Sequence, residues 1–133
     1  MAEDTRWHQR FDQFDRAFRL LQQALAIESP SVVERAGVVQ FFEISFELAW
    51  KLLKDYQEAE GYSIASPRDA IKQAFQSGLV ADGHGWINAL TDRNLTTHTY
   101  NEKTAVEVDD KIRGAYFPLL LALHASFAEK VGD

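Results

Sequence analysis

Apolar residues recur every three or four positions along most of the chain, whereas the strict alternation of a β-strand is not sustained anywhere. This spacing is typical of amphipathic α-helices, in which one face is buried. The first such stretch runs over residues 5–27, and Glu28-Ser29-Pro30 then interrupts it. We therefore predict a first helix there, with an apolar stripe formed by Phe11, Phe14, Phe18, Leu21 and Leu25.

Capping signals mark the two ends of a second, longer helix. Ser31 and Glu34 have the spacing of a capping box, in which each side chain bonds the backbone N–H of the other residue. Gly61 suits the position just beyond a helix, so we predict that the helix continues to about Glu60. Apolar residues occupy most of its circumference. The helix is therefore expected to be central in the fold or to face a second protomer.

The third predicted helix is short and begins with a clear signal. Ser66 is a suitable N-cap, and Pro67 suits the first helical position. This helix is expected to end near Ser77-Gly78, before a glycine-containing loop over residues 81–85.

Two further helices follow that loop. The fourth carries Trp86, Ile87, Leu90 and Arg93, and the last runs from about Asn101 to Glu129, with a kink at Pro118. The pattern predicts an all-α, up-and-down helical bundle of four to five helices. A length of 133 residues fits a single domain over residues 1–133.

Composition limits the classes of protein that fit this pattern. The chain has no cysteine, which excludes disulfides and thiolate metal sites. The acidic start Met1–Asp4 does not resemble a secretory signal, and the longest nearly apolar run, Tyr116–Leu123, is far shorter than a membrane span of about 20 residues. We expect a cytoplasmic protein. The net charge of −6 argues against an extended nucleic-acid footprint, so any RNA contact should be short or assisted by a partner.

Three functional side chains lie within eight residues of one another, namely the guanidinium of Arg93, the imidazole of His98 and the phenol of Tyr100. In an unbroken helix, side chains five positions apart point about 140° away from each other. The β-branched pair Thr96-Thr97 disfavours helix locally, and Asn101 is a suitable N-cap for the next helix. We predict that the fourth helix ends between Arg93 and His98, so that both side chains reach one pocket.

The chemistry of this pair fits cleavage of RNA without a metal ion. The 2′-hydroxyl of the substrate is the nucleophile, and histidine is suited to proton exchange near neutral pH. A guanidinium stabilises the charge that builds up on the phosphorus and keeps its own proton. A symmetric dimer would place two such pairs around one cleft. His84 and His98 do not have the spacing of zinc ligands, and we expect neither metal nor cofactor.

The stretch Arg93–Tyr100 fits the pattern R-x4-H-x-Y, and with Phe42–Lys54, Ser66–Arg68 and Trp86 it resembles HepT-type toxins of the HEPN superfamily and the related nucleotidyltransferase substrate-binding proteins. The resemblance extends over about residues 5–127. It implies a homodimer that cleaves RNA without metal. It also implies a small nucleotidyltransferase that acts as antitoxin by transferring AMP to the motif tyrosine. By this mapping Arg93 and His98 are catalytic, and Tyr100 accepts AMP, whose charge and bulk would block the cleft.

Other interpretations remain open for each residue. Arg93 can be a surface arginine paired with Asp92, His98 can cap the helix junction, and Tyr100 can be a half-buried aromatic residue. Glu43, Glu47, Lys51 and Asp55 repeat every fourth residue and can form an i,i+4 charge ladder along the second helix. Alternatively, Glu47, Lys51 and Asn94 can line the same cleft as Arg93.

The alternative function for the whole chain is a non-catalytic substrate-binding subunit of a two-component nucleotidyltransferase. In that case Arg93 holds the phosphate of a nucleotide or acceptor. The net charge of −6 fits this function better than it fits a ribonuclease. A third possibility is a purely structural helical dimer, and the intact pair of Arg93 and His98 argues against it.

Overall fold

The computed structural model of the chain describes residues 2–96 and 102–132, which are helical over most of their length and include no strand. The predicted all-α helical bundle is thereby confirmed. Its helices are α1 (Ala2–Leu25), α2 (Val32–Ala59), α3 (Pro67–Gln76), α4 (Gly83–Thr96), α5 (Glu102–Lys111), a π-helical turn (Ile112–Tyr116) and α6 (Phe117–Gly132). No described helix is both long and apolar enough to cross a membrane.

The capping signals read from the sequence determine where α2 and α3 begin. Ser31 Oγ accepts a hydrogen bond from the backbone N–H of Glu34, and the Glu34 carboxylate accepts one from the backbone N–H of Ser31, which confirms the capping box. Ser66 Oγ accepts from the N–H of Asp69, and Pro67 is the first residue of α3. At the end of α2, Gly61 has φ of 101°, a left-handed conformation that glycine adopts without strain.

The bounds of helices α1 and α4 differ from those expected. Helix α1 covers Ala2–Leu25, so it begins and ends earlier than residues 5–27. Helix α4 begins at Gly83, inside the segment 81–85 that was expected to be a loop. The reason is Asp82, whose Oδ1 accepts a hydrogen bond from the N–H of Gly85 at 2.9 Å and so caps the helix.

Helices α1 and α2 pack against each other in opposite directions. Trp7, near the start of α1, meets Tyr56, near the end of α2, with 5.2 Å between their ring centroids. Arg10 and Asp55 form an ion pair at the same end of the helix pair. The core between the helices is rich in aromatic and aliphatic residues, and the largest fully buried side chains are those of Trp86, Phe14, Phe18, Phe42, Phe46, Phe127, Leu21, Leu52, Leu53, Ile71, Ile112 and Leu120.

The helical irregularity expected at Pro118 takes the form of a π-helical turn. Proline has no backbone N–H, and its ring collides with the carbonyl four residues earlier in a regular α-helix. The turn over Ile112–Tyr116 ends directly before α6, and the N–H of Phe117 donates to the carbonyl of Ile112, five residues earlier. This wider turn makes room for the proline ring and keeps Ile112 and Tyr116 buried.

Candidate active site

Arg93 is carried on the face of α4 that packs into the protein. Trp86 and Leu90 precede it at helical spacing, and both are buried. The side chain of Arg93 is 26% exposed, so it lies where the buried stripe of α4 reaches the surface. This placement differs from that of an ordinary surface arginine.

A carboxylate from α2 binds this guanidinium. Glu47 Oε2 accepts hydrogen bonds from Arg93 Nη2 at 2.8 Å and from the indole N–H of Trp50 at 3.0 Å. The other oxygen, Glu47 Oε1, lies 3.3 Å from Lys51 Nζ. Asn94 Oδ1 accepts a weaker hydrogen bond from Arg93 Nη1 at 3.3 Å. We refer to these five residues as the Arg93 cluster.

The electrostatics of the Arg93 cluster keep its carboxylate ionised. Burial raises the pKa of Glu47. The hydrogen bond from Trp50 and the positive charges of Arg93 and Lys51 lower it by more, so the pKa of Glu47 lies below its ordinary value. With Glu47 ionised, two cations and one anion leave the cluster with a net charge of +1. A positive charge on a partly exposed surface suits one phosphate.

The structure thus places three of the sequence-predicted residues beside Arg93, namely Glu47, Lys51 and Asn94. Glu47 pairs with Lys51 along α2, as the charge ladder predicts, and also with Arg93 on α4. That these residues line a cleft stays a prediction. The charge ladder does not extend to Asp55, which is buried and binds Arg10 instead. The role of Trp50 was not predicted, although three residues from Glu47 is a helical neighbour spacing.

His98 and Tyr100 lie outside the described residues. The expected helix end between Arg93 and His98, and the meeting of their side chains, therefore stay predictions. Helix α4 is described as far as Thr96.

Asp92 faces a different side of α4 from Arg93. It accepts a short hydrogen bond from the hydroxyl of Tyr116, and Asp92 Oδ2 lies 3.4 Å from Lys111 Nζ. Burial and the Asp92 carboxylate together raise the pKa of Tyr116 above its ordinary value, so this phenol remains a hydrogen-bond donor. Asp92 is therefore bound to the π-helical turn and to the end of α5, while Arg93 pairs with Glu47. Nothing in the sequence pattern linked Tyr116 to the motif, because the two are far apart in the chain.

Metal-ligating side chains do not cluster in the part of the chain that the structure describes. No group of three His, Cys, Asp or Glu residues there is arranged to hold a metal ion.

Comparisons with known proteins agree with this fold. Residues 9–129 match the family described as nucleotidyltransferase substrate binding protein like. A probable ribonuclease HepT from Haemophilus influenzae is 31% identical, over 59% of this chain and 60% of that protein's length. A Thermus thermophilus protein of known crystal structure is 33% identical and superposes with a TM-score of 0.74, covering 89% of this chain and 98% of that one. The chain therefore belongs to the nucleotidyltransferase substrate binding protein like family, in which it is similar to a HepT-type protein.

Proposed function

We propose that the protein is an endoribonuclease toxin that cleaves RNA without a metal ion. We propose also that a nucleotidyltransferase antitoxin silences it. The observation that carries this proposal is the ion pair between Arg93 and Glu47, because it fixes a guanidinium at the surface within five residues of His98. The similarity to a probable ribonuclease HepT supports it.

The reaction needs a nucleophile, a proton acceptor and a cation. The RNA supplies the nucleophile, and the chain supplies the other two. The 2′-hydroxyl of the RNA attacks the adjacent phosphorus, and its proton passes to an imidazole, for which we assign His98. The bond from phosphorus to the 5′-oxygen of the next nucleotide breaks, and the imidazolium gives its proton to that oxygen as it leaves, which yields a 2′,3′-cyclic phosphate and a free 5′-hydroxyl. Arg93 stabilises the negative charge on the phosphoryl oxygens during this exchange. Glu47 restricts the orientation of the guanidinium, and Lys51 adds positive charge beside it.

We assign a homodimer as the active form. An apolar stripe runs along α2 through Gly37, Phe41, Ile44 and Leu48, spaced three or four residues apart. Ile44 is 38% exposed, and Phe41 and Leu48 are only partly buried. The stripe borders Glu47 on the same helix. A second copy packed on this stripe would bury it and bring two Arg93 clusters together.

We propose that AMP transfer to Tyr100 switches the activity off. The phenolic oxygen displaces pyrophosphate from the α-phosphorus of ATP, and the phenolic proton passes to solvent. Each AMP group places a phosphate and a nucleoside two residues from His98 in the chain, and the negative charge repels an RNA phosphate. Co-expression with the nucleotidyltransferase should add mass in multiples of AMP, and Tyr100→Phe should abolish the addition. An unmodified wild-type protein would contradict this part of the proposal.

The family match over residues 9–129 also fits a single HEPN-like domain over residues 1–133, which we propose to act in the cytoplasm. Buried residues of α1 to α6 and of the π-helical turn belong to a common core, and this supports one folding unit.

The test is cleavage of a single-stranded RNA in EDTA by purified protein. We expect cleavage by the wild type and a loss of at least about a hundredfold in Arg93→Lys, because lysine cannot reproduce the planar donor geometry. His98→Ala should be inactive, whereas Arg16→Lys on α1 should cleave like the wild type. Full activity in His98→Ala would overturn the proposal.

A second candidate is a non-catalytic substrate-binding subunit of a two-component nucleotidyltransferase. The description of the matched family and the net charge of −6 favour it. In that role the Arg93 cluster would hold a phosphate without breaking a bond. Stable association with a nucleotidyltransferase, with neither RNA cleavage nor a mass shift on Tyr100, would favour this second function.

A further inference from the structure

A groove outside the Arg93 cluster lies between α3 and the start of α4. One face of α3 presents Arg68, Ile71, Lys72 and Phe75, spaced three or four residues apart, and Ile87 of α4 forms the opposite wall. The groove has a volume of about 540 Å³, within the usual range of ligand pockets. Ile71 at its base is fully buried, whereas Phe75 is 53% exposed.

Helix α4 connects this groove to the Arg93 cluster. Phe75 lies against Gly83, so the end of α3 meets the beginning of α4. On α4, Ile87 and Asn94 are seven residues apart and share a face, about 10 Å along the helix. Asn94 contacts Arg93.

The charges of the groove are complementary to an anion. Arg68 and Lys72 lie one helical turn apart, about 6 Å along the axis, which is mildly unfavourable for two like charges. Neither cation forms an ion pair with another described residue. Asp82, a carboxylate in the lining, is engaged in capping α4. His84 also lines the groove. Two adjacent cations are notable in a chain whose net charge is −6.

We propose that this groove binds a nucleotide of single-stranded RNA next to the cleaved bond, with its base stacked on Phe75 and flanking phosphates bound by Arg68 and Lys72. The inference rests on the proposed ribonuclease function. An exposed aromatic ring beside a line of cations is the arrangement that binds single strands without base selection. An acidic protein segment offers the same charge, but the exposed aromatic ring of Phe75 beside the cations suits the stacking of a base, which favours a nucleotide.

The test measures binding without cleavage. A fluorescent single-stranded oligomer of 2′-O-methyl nucleotides lacks the attacking hydroxyl, so its affinity is measured by fluorescence anisotropy on uncut ligand. Phe75→Ala should weaken binding at least about fivefold. Replacing Arg68 and Lys72 together by glutamine should reduce the slope of log affinity against log salt by about 0.7 for each cation. The controls are Tyr62→Ala, an exposed aromatic residue elsewhere, and Arg16→Gln on α1.

Three results would overturn the groove assignment. The first is that the groove variants have the affinity and the salt slope of the wild type, while their circular dichroism shows that they are folded. The second is a wild-type protein that does not bind the oligomer. The third is groove variants that bind RNA normally but no longer bind a nucleotidyltransferase, which would make this face a protein interface. If the protein binds the oligomer through Phe75 but cuts no RNA, the ribonuclease proposal is refuted. The assignment of the groove is then retained.

Discussion

Glu47 and Arg93 are 46 positions apart in the sequence, yet a carboxylate oxygen of one lies 2.8 Å from a guanidinium nitrogen of the other. Because Glu47 also binds Trp50 and Lys51, it connects the middle of α2 to the end of α4. The pair is partly exposed, with 31% of the Glu47 side chain accessible, so its contribution to stability is small. We expect the ion pair to act mainly by holding the guanidinium of Arg93 in one orientation.

We predict that Glu47→Gln lowers kcat for RNA cleavage roughly ten- to hundredfold, because a displacement of about 1 Å in a catalytic group has effects of this size. The melting temperature should change little, since an exposed ion pair contributes about 1 kcal/mol or less. Glu43→Gln, one turn earlier on the same helix, is the matched control and should behave like the wild type. An unchanged kcat in Glu47→Gln would show that Arg93 needs no positioning by Glu47.

The apolar stripe on α2 gives a prediction about assembly. Ile44→Glu places a charge in the middle of the proposed dimer interface, so analytical ultracentrifugation should show monomers at concentrations where the wild type is dimeric. RNA cleavage should be lost along with the dimer, while the monomer remains helical. Leu121→Glu on α6 introduces the same charge at a similarly exposed apolar residue and should leave the dimer intact. A dimeric Ile44→Glu variant would place the interface elsewhere.

Asp109 joins three segments of the bundle. Its buried carboxylate accepts from Arg35 Nε at 3.1 Å and from Arg113 Nε at 2.7 Å, and Arg113 also donates to the carbonyl of Leu25. Asp109→Asn leaves two partly buried cations without their anion, so we expect a loss of about 3 kcal/mol in the free energy of unfolding. Urea denaturation measures this change.

The matched control for Asp109 is Asp12→Asn on α1, where the carboxylate is exposed and pairs with Arg16. This variant should lose about 0.5 kcal/mol or less. Equal losses in the two variants would contradict the role assigned to Asp109.

Part of the loss of stability in acid should come from the protonation of Asp15. Burial raises the pKa of Asp15, but hydrogen bonds from His124 and Arg19 lower it by more, so its folded-state pKa lies below the ordinary value. His124 Nε2 lies 2.6 Å from Asp15 Oδ1 and ties α6 to α1. The stabilisation by ionised Asp15 is therefore fully present above the unfolded-state pKa of about 3.9 and is lost as the pH falls through the lower folded-state value.

The measurement is the free energy of unfolding of Asp15→Asn between pH 2 and 7. The variant should be less stable than the wild type near neutral pH, and the difference should shrink in acid. Asp12→Asn provides the baseline for an exposed carboxylate on the same helix. A difference that stays constant down to pH 2 would mean that the ionisation of Asp15 does not contribute.

The sequence predicted those features that depend on local chemistry. The capping box at Ser31 and Glu34, the N-cap at Ser66 and the left-handed Gly61 follow from short-range hydrogen bonds and backbone sterics, and all are observed. The start of α4 was missed because Asp82 precedes a glycine, a pair that also begins loops. Here its side chain caps a helix instead.

Contacts between distant segments were harder to predict from the sequence. The periodicity of α2 placed Glu47 and Lys51 one turn apart, but only tertiary packing decides that Glu47 faces α4 and binds Arg93. The bond from Tyr116 to Asp92 depends on the π-helical turn, and Pro118 indicated a disturbance without specifying its form. The catalytic assignment of His98 came from the family resemblance, since a lone histidine has no pattern of its own.

The position of Arg93 on the buried face of α4 has an energetic consequence for any anion that binds there. Trp86 and Leu90 anchor the helix in the core, and Glu47 restricts the rotamers of the arginine. Immobilising a long flexible side chain costs about 0.5–1.5 kcal/mol when it happens on binding. Because folding already restricts this side chain, an anion bound by Arg93 would meet a preorganised guanidinium and would lose less entropy on binding.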